Sequence, residues 1–144
     1  MASFSTVIQS TLSQAAAFAY MAAFENAARW DPTVKEARRL TEGELGVGTQ
    51  FAVVSRFGGR EVELRYEIVR YEPPRVVELE ARNPSFRSHD TITVEPAGTG
   101  SLVRYDAELD FTGVRRLLEP VMQATFQRVG RAAEAGLREV LNPR

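Results

Sequence analysis

Residues 61–71 read EVELRYEIVRY, in which Val62, Leu64, Tyr66 and Ile68 alternate with Glu61, Glu63, Arg65 and Glu67. Successive side chains on a strand point to opposite faces, so this alternation predicts a β-strand with one dry and one wet face. Gly58-Gly59 just before it is a two-residue hairpin signal. Thr49 to Phe57, across that turn, alternates as well and places Phe51, Val53, Ser55 and Phe57 inward. Downstream, Pro73-Pro74 ends the strand, and Arg75 to Arg82 turns Val77, Leu79 and Ala81 inward. Asn83-Pro84-Ser85 makes a turn into Ser88 to Glu95, whose inward residues are Ser88, Asp90, Ile92 and Val94. After a turn over Pro96 to Gly100, Leu102 to Phe111 points Val103, Tyr105, Ala107, Leu109 and Phe111 inward.

Toward the N-terminus, Ser3 to Thr11 is rich in β-branched residues and reads as a first strand. Ser13 is placed to cap a short helix through about Ala22, and a second helical turn covers Phe24 to Ala28. Pro32 disfavours helical geometry at Asp31 and ends that turn. Val34 to Thr41 is a further strand, followed by a loop holding Gly43, Gly46 and Gly48. At the C-terminal end the period changes. A short turn from Val114 to Leu118 leads into a helix from Pro120 to Leu141, on the order of 30 Å long. Val121, Met122, Thr125, Val129, Ala133, Gly136, Leu137 and Val140 share one arc of it, opposite Gln123, Gln127, Arg131, Glu134 and Arg138. Seven strands joined by hairpins pair antiparallel, and their single apolar face needs the terminal helix as its cover. The fold class expected is α+β.

Composition narrows the function. At 144 residues the chain forms one domain, residues 1–144, able to bury a core without disulfides or metal. A formal net charge of −1 gives no general attraction for nucleic acid or anionic lipid. The absence of cysteine excludes disulfides, thiol catalysis and Cys-ligated metals, and His89 is the single histidine. No metal site and no cofactor are expected. The apolar run from Ala15 to Phe24 is ten residues, too short to span a bilayer, and the first basic residue is Arg29, so no signal peptide is read. A soluble, cytoplasmic protein is the expectation. The loop from Gly43 to Gly48 lacks the Lys-Ser/Thr ending of a phosphate loop, and the basic pairs Arg115-Arg116 and Arg128/Arg131 read as a solvated helix face.

Four segments in running order carry a family resemblance: FAYMAAFENAARWDP (18–32), LGVGTQF (45–51), FGGREVELRYEIVRYEPPRVVELE (57–80) and DTITVEPAGTGSLVRYDAEL (90–109). Together with the terminal helix they resemble the polyketide cyclase/dehydrase-like branch of the START-like (SRPBCC, Bet v 1-type) superfamily, over nearly the whole chain. The resemblance implies a helix-grip fold, in which a seven-stranded antiparallel sheet, with two short helices after its first strand, grips the last helix around an elongated apolar cavity. It supplies no short catalytic motif to map onto this chain, so function has to be argued from the site.

Among the inward residues Asp90 is the sharpest polar candidate, because burial would raise its pKa into the range of a general acid or base. Tyr66 and Tyr105 share its face and could polarise a ligand carbonyl. The alternative for Asp90 is a structural role, bonded to loop amides or paired with an arginine. Trp30 either caps the mouth of the cavity against a ligand or anchors the second helical turn. Ser55, Asn83, Ser88 and Thr125 are small polar groups that would orient a ligand, or be satisfied by backbone or buried water. Parity places His89 outward, although a bulge near Ser88 would reverse it. Gly130 and Gly136 lie in the helix interior at a cost of about 1 kcal/mol each, which implies close packing or room for a ligand.

The first functional reading is a carrier or sensor that binds a small, mostly apolar, lipid- or polyketide-like molecule. Its lining would come from Phe51, Val53, Phe57, Leu64, Tyr66, Leu79, Ile92, Tyr105, Met122, Phe126 and Val129. The second is a cyclase or dehydratase that uses Asp90 with Tyr66 or Tyr105. The third is an interaction module with a filled interior, whose partner surface is Trp30 and its neighbouring loops, as in a homodimer.

Overall fold

The computed structural model describes every residue except 58, 114–116, 118 and 144, and the side chains of the rest apart from 57 and 119. Half of the Gly58-Gly59 turn, the inward face expected for Phe57, and most of the turn from Val114 to Leu118 with its Arg115-Arg116 pair therefore lie outside the described residues.

The elements run β1 (Ala2–Ser10), α1 (Gln14–Ala22), a 3-10 turn (Phe24–Asn26), α2 (Ala27–Trp30), β2 (Val34–Arg39), β3 (Gln50–Phe57), β4 (Arg60–Glu72), β5 (Val76–Arg82), β6 (Phe86–Ala97), β7 (Gly100–Phe111) and α3 (Glu119–Val140). The seven strands form one antiparallel sheet in the order β1-β7-β6-β5-β4-β3-β2. Hairpins place β2 to β7 side by side, and only β1 reaches its neighbour, β7, over a long sequence separation. Ser13 caps α1, its hydroxyl accepting from the Ala16 amide at 3.2 Å. Ala17, Phe18, Met21 and Ala22 of α1 are buried. Among the described residues no helix is long and apolar enough to cross a membrane.

The inner face follows the alternation. Val77, Leu79 and Ala81 on β5, Ser88, Asp90, Ile92 and Val94 on β6, and Val103, Tyr105, Ala107 and Leu109 on β7 are all buried. Period two carried past Ile68 would bury Arg70. Instead the register slips between Ile68 and Arg70, leaving Val69 as the extra residue and 42% exposed. That bulge brings Tyr71 opposite Val77 and against the ring of Phe18, 5.6 Å between centroids.

α3 lies along β1 and packs on α2. Its sheet-facing side differs from the apolar arc read in the sequence. Val121 is 67% exposed, whereas Gln123 and Gln127 of the opposite arc reach the backbone of β1. β1 is an edge strand, so its outer N–H and C=O groups need partners. The Ser3 amide donates to Gln123 Oε1 at 2.9 Å, and Ser3 O accepts from Gln123 Nε2 at 3.1 Å and Gln127 Nε2 at 2.6 Å. Farther along, Glu134 takes the Thr6 hydroxyl, and Asn142 bonds the Thr11 amide and the Gln9 carbonyl. Amide side chains thus dock the helix on the strand edge, while Ala133, Leu137 and Leu141 enter the core.

Both helix-interior glycines mark close approaches. A Cβ on Gly136 would sit 2.0 Å from the carbonyl oxygen of Trp30, and one on Gly130 would sit 2.3 Å from the ring of Phe4. Close packing is the compensation for their helix cost.

Candidate functional site: a cavity with an acidic end

Between the inner face of the sheet and the helices lies a cavity of about 200 Å³. An apolar cavity of about 150 Å³ is enough to hold benzene. Val53 and Ser55 of β3 face Leu64 and Val62 of β4 across one ladder, and Phe126 and Val129 of α3 close the opposite side. Phe24 and Ala27 contribute from the short helical turns, and Phe86, Leu109 and Phe111 from the far ends of β6 and β7. Arg60, exposed, stands at the rim.

One end is polar, and the register explains why. Ala81 sits between Tyr66 and Ser88 in a single row across β4, β5 and β6. Its methyl group leaves room for the Tyr66 hydroxyl to meet Ser88 Oγ at 2.8 Å. Asp90 sits between Leu79 and Ala107 in a neighbouring row, and Tyr105 lies on the diagonal across the β6–β7 ladder. The Tyr105 hydroxyl donates to Asp90 Oδ2 at 2.9 Å. Asp31, half-buried where the chain leaves α2, completes the cluster; its Oδ1 accepts from the Thr33 amide at 2.9 Å and the Thr33 hydroxyl at 2.7 Å.

Burial dominates the electrostatics. It pushes the Asp90 carboxyl up to about 7, against the lowering effect of the Tyr105 hydrogen bond, and the negative charge of Asp31 adds to the rise. Burial raises Asp31 above the usual carboxylate range too, with the two Thr33 hydrogen bonds opposing. Tyr66 and Tyr105 are held well above the ordinary phenol value, first by burial and then by the charge of Asp90. Near neutral pH the site therefore holds a half-ionised carboxyl and two neutral phenols. Such a carboxyl can exchange a proton or pair with a cation.

The structure sorts the residues expected from sequence into three groups. Val53, Ser55, Leu64, Tyr66, Asp90, Tyr105, Phe126 and Val129 line the cavity. Phe51, Leu79 and Ile92 share the inner face but are fully buried in the surrounding core. Trp30 is 2% exposed and packs edge-on against Tyr105, 5.3 Å between centroids, so it anchors α2 rather than capping a mouth or offering a partner surface. Asn83 accepts from the amides of Ser85 and Phe86 and faces an outer groove. Met122 lies on α3 outside the lining, and the Thr125 hydroxyl turns back to Val121 O of its own helix at 3.4 Å. His89 faces outward as parity required, its Nε2 2.9 Å from Glu78 Oε1 and its Nδ1 3.3 Å from Arg87.

Asp31, Thr33 and Phe24 are site residues that sequence reasoning missed. Asp31 had a signal: Asp-Pro-Thr is a pattern in which the aspartate side chain bonds the backbone two residues on, fixing its orientation. Among the described residues no three metal-ligating side chains converge.

Comparison with known proteins places this geometry. The chain covers 96% of a START superfamily protein from Mycobacterium smegmatis and is itself covered to 96%, at 13% identity and a TM-score of 0.79. A protein from Thermus thermophilus is similar at 17% identity and a TM-score of 0.76, with 97% of this chain and 95% of that one covered. The di-domain ARO/CYC BexL is similar at 13% identity and a TM-score of 0.71, over 99% of this chain and 50% of BexL. These likenesses establish the fold. No curated protein matches. The family model described as polyketide cyclase / dehydrase and lipid transport matches residues 1–142, and the chain belongs to that family.

Proposed function

We propose that this chain binds a small, mostly apolar molecule inside the cavity, as a carrier or sensor. The observation that carries this reading is an interior space of about 200 Å³ with apolar walls and its polar groups gathered at one end. Ligand sites characteristically combine apolar walls with a few placed polar groups. The volume suits one ring rather than a fused multi-ring skeleton, by comparison with the benzene-sized cavity above. The same space argues against an interior filled by its own side chains, and the burial of Trp30 takes that residue out of the partner surface which that reading named.

Calorimetric titration with toluene tests the proposal, with native mass spectrometry of protein purified from its own host alongside. Saturable binding of toluene at one site, or a retained small molecule, is the expected result. At a hundredfold excess over Kd, binding should stabilise the fold by about 2.7 kcal/mol. No retained mass together with no saturable binding of toluene sinks the reading.

Asp90 favours a second reading, an acid/base enzyme of the cyclase or dehydratase kind. A carboxyl near pH 7 is matched to proton transfer at neutral pH, and the two phenols beside it would orient a carbonyl. On that reading Asp90→Asn abolishes turnover and leaves the binding of apolar probes intact.

A further inference from the structure

The polar end of the cavity has more hydrogen-bond acceptors than donors. Asp90 Oδ2 takes the Tyr105 hydroxyl, while Asp90 Oδ1 takes no hydrogen bond among the described residues. Asp90 is 3% exposed, so this oxygen has only the cavity to look to. Asp31, which is only half-buried, also keeps one oxygen free among the described residues: Oδ1 takes both Thr33 groups and Oδ2 takes none. The Tyr66 and Ser88 hydroxyls share one hydrogen bond, which leaves a single O–H proton free between them. Among the described residues Arg60 is the one basic residue of the lining, and it is exposed at the rim.

A carboxylate oxygen that opens on a mostly apolar cavity draws a donor into it, and a charged donor supplies most. An anionic ligand would instead set its charge against two carboxyls. We propose that the cavity selects a protonated amine carried on a small apolar ring, its ammonium held by the free oxygens of Asp90 and Asp31 and its ring among Phe24, Val53, Leu64, Phe126 and Val129. This rests on the binding reading above and names its ligand class.

The inference carries a pH signature. Facing Asp90 are Tyr105 from β7, Tyr66 from β4, Ser88 from its own strand and Asp31 from the segment after α2. β5 presents Leu79, and α3 and the 3-10 turn present Phe126, Val129 and Phe24. Glu134 of α3 is engaged by Thr6, one strand beyond Tyr105. With the Asp90 carboxyl at about 7 in the empty cavity, an ammonium ion binds the ionised form. Its affinity rises with pH through 7 and then levels off until the amine itself loses its proton.

Calorimetric titration of the full chain with benzylamine, toluene and benzoate separates the possibilities. At pH 8 benzylamine should bind at least tenfold tighter than either of the others. Its affinity should fall about tenfold from pH 8 to pH 6, while that of toluene stays flat. Asp90→Asn should keep toluene binding, which shows an intact cavity, and lose the preference for benzylamine together with its pH dependence; Asp31→Asn should weaken that preference. Toluene binding with benzylamine no tighter overturns the amine inference and leaves the binding reading standing. Benzoate binding tighter than benzylamine overturns it as well. Failure of all three to bind overturns the amine inference, and with no small molecule retained in native mass spectrometry it overturns the binding reading as well.

Discussion

Burial makes Asp90 a side chain whose ionisation opposes folding. Its ordinary value of 3.8 rises to about 7 in the folded state, chiefly through burial. Below pH 3.8 the group is protonated in both states and stability is unaffected. Between 3.8 and 7 the folded chain holds a proton that the unfolded chain has released, so stability is lost as pH rises, by about 1.4 kcal/mol per unit. Above 7 the loss is complete and constant. Asp90→Asn removes the ionisation and keeps an acceptor for the Tyr105 hydroxyl. Its melting temperature should therefore exceed that of the parent by several degrees at pH 8, at about 2–4 °C per kcal/mol for a domain of this size. The difference should close toward pH 4. Melts followed by circular dichroism from pH 4 to 8 check this, and an asparagine variant that melts lower at pH 8 would contradict it. A carboxyl that destabilises the empty fold is offset only when something in the cavity pairs with it, which is why the residue scale points toward a ligand.

At the scale of elements, α3 shows what a helical wheel can and cannot say. Gly136 stands where the helix crosses α2, with the Trp30 carbonyl in the place an alanine methyl would need. Gly136→Ala gains about 1 kcal/mol of helix propensity and forces apart two backbones, which do not yield as a side chain would. A net loss of about 1–3 kcal/mol is expected from overpacking, read as a lower urea midpoint at unchanged slope. Ala132→Gly on the exposed face should cost only the propensity, about 1 kcal/mol, so the two variants separate the clash from the helix term. The 3.6 period and Pro120 located this helix in the sequence to within a residue at each end. Which side meets the sheet was not legible, because a wheel ranks side chains by hydropathy and takes no account of the backbone opposite. An edge strand needs hydrogen-bond partners, and Gln123 and Gln127 supply them at Ser3. Strand parity read better: Asp90, Tyr105 and Tyr66 all face inward, since each strand has neighbours on both sides and a single dry face. The bulge at Val69 did leave a mark, since Ile68 and Val69 are adjacent apolar residues and strict period two would turn Arg70 inward and Tyr71 outward.

For the molecule as a whole, parity says which residues face in but not which of them border empty space. Phe51, Leu79 and Ile92 obey the same alternation as Val53, Leu64 and Asp90, yet the first three are packed and the others line the cavity. The difference arises where α1, the 3-10 turn and α2 fold over one part of the inner face, and the ring of Phe24 packs at once on Phe51, Trp30 and Tyr66. At the edge of this cover, where Phe24 and Ala27 form part of the wall, the sheet and α3 stand apart, and the hollow remains. Asp31 joins Asp90 for the same reason, delivered by the chain leaving α2 rather than by a strand. If the hollow is what the fold provides for function, filling it from α3 should remove binding without harming the fold. Val129→Phe projects a ring into the space from the helix side. Reclaiming part of a cavity stabilises by about 24 cal/mol for each Å³ filled, so the melting temperature should hold or rise by a few degrees, while affinity for toluene falls more than tenfold. Arg131→Ala, on the exposed side of the same helix, should change neither. Melting and calorimetric titration of the two variants decide the matter: undiminished toluene binding in Val129→Phe would mean that the molecule binds its apolar ligands somewhere other than between the sheet and its last helix.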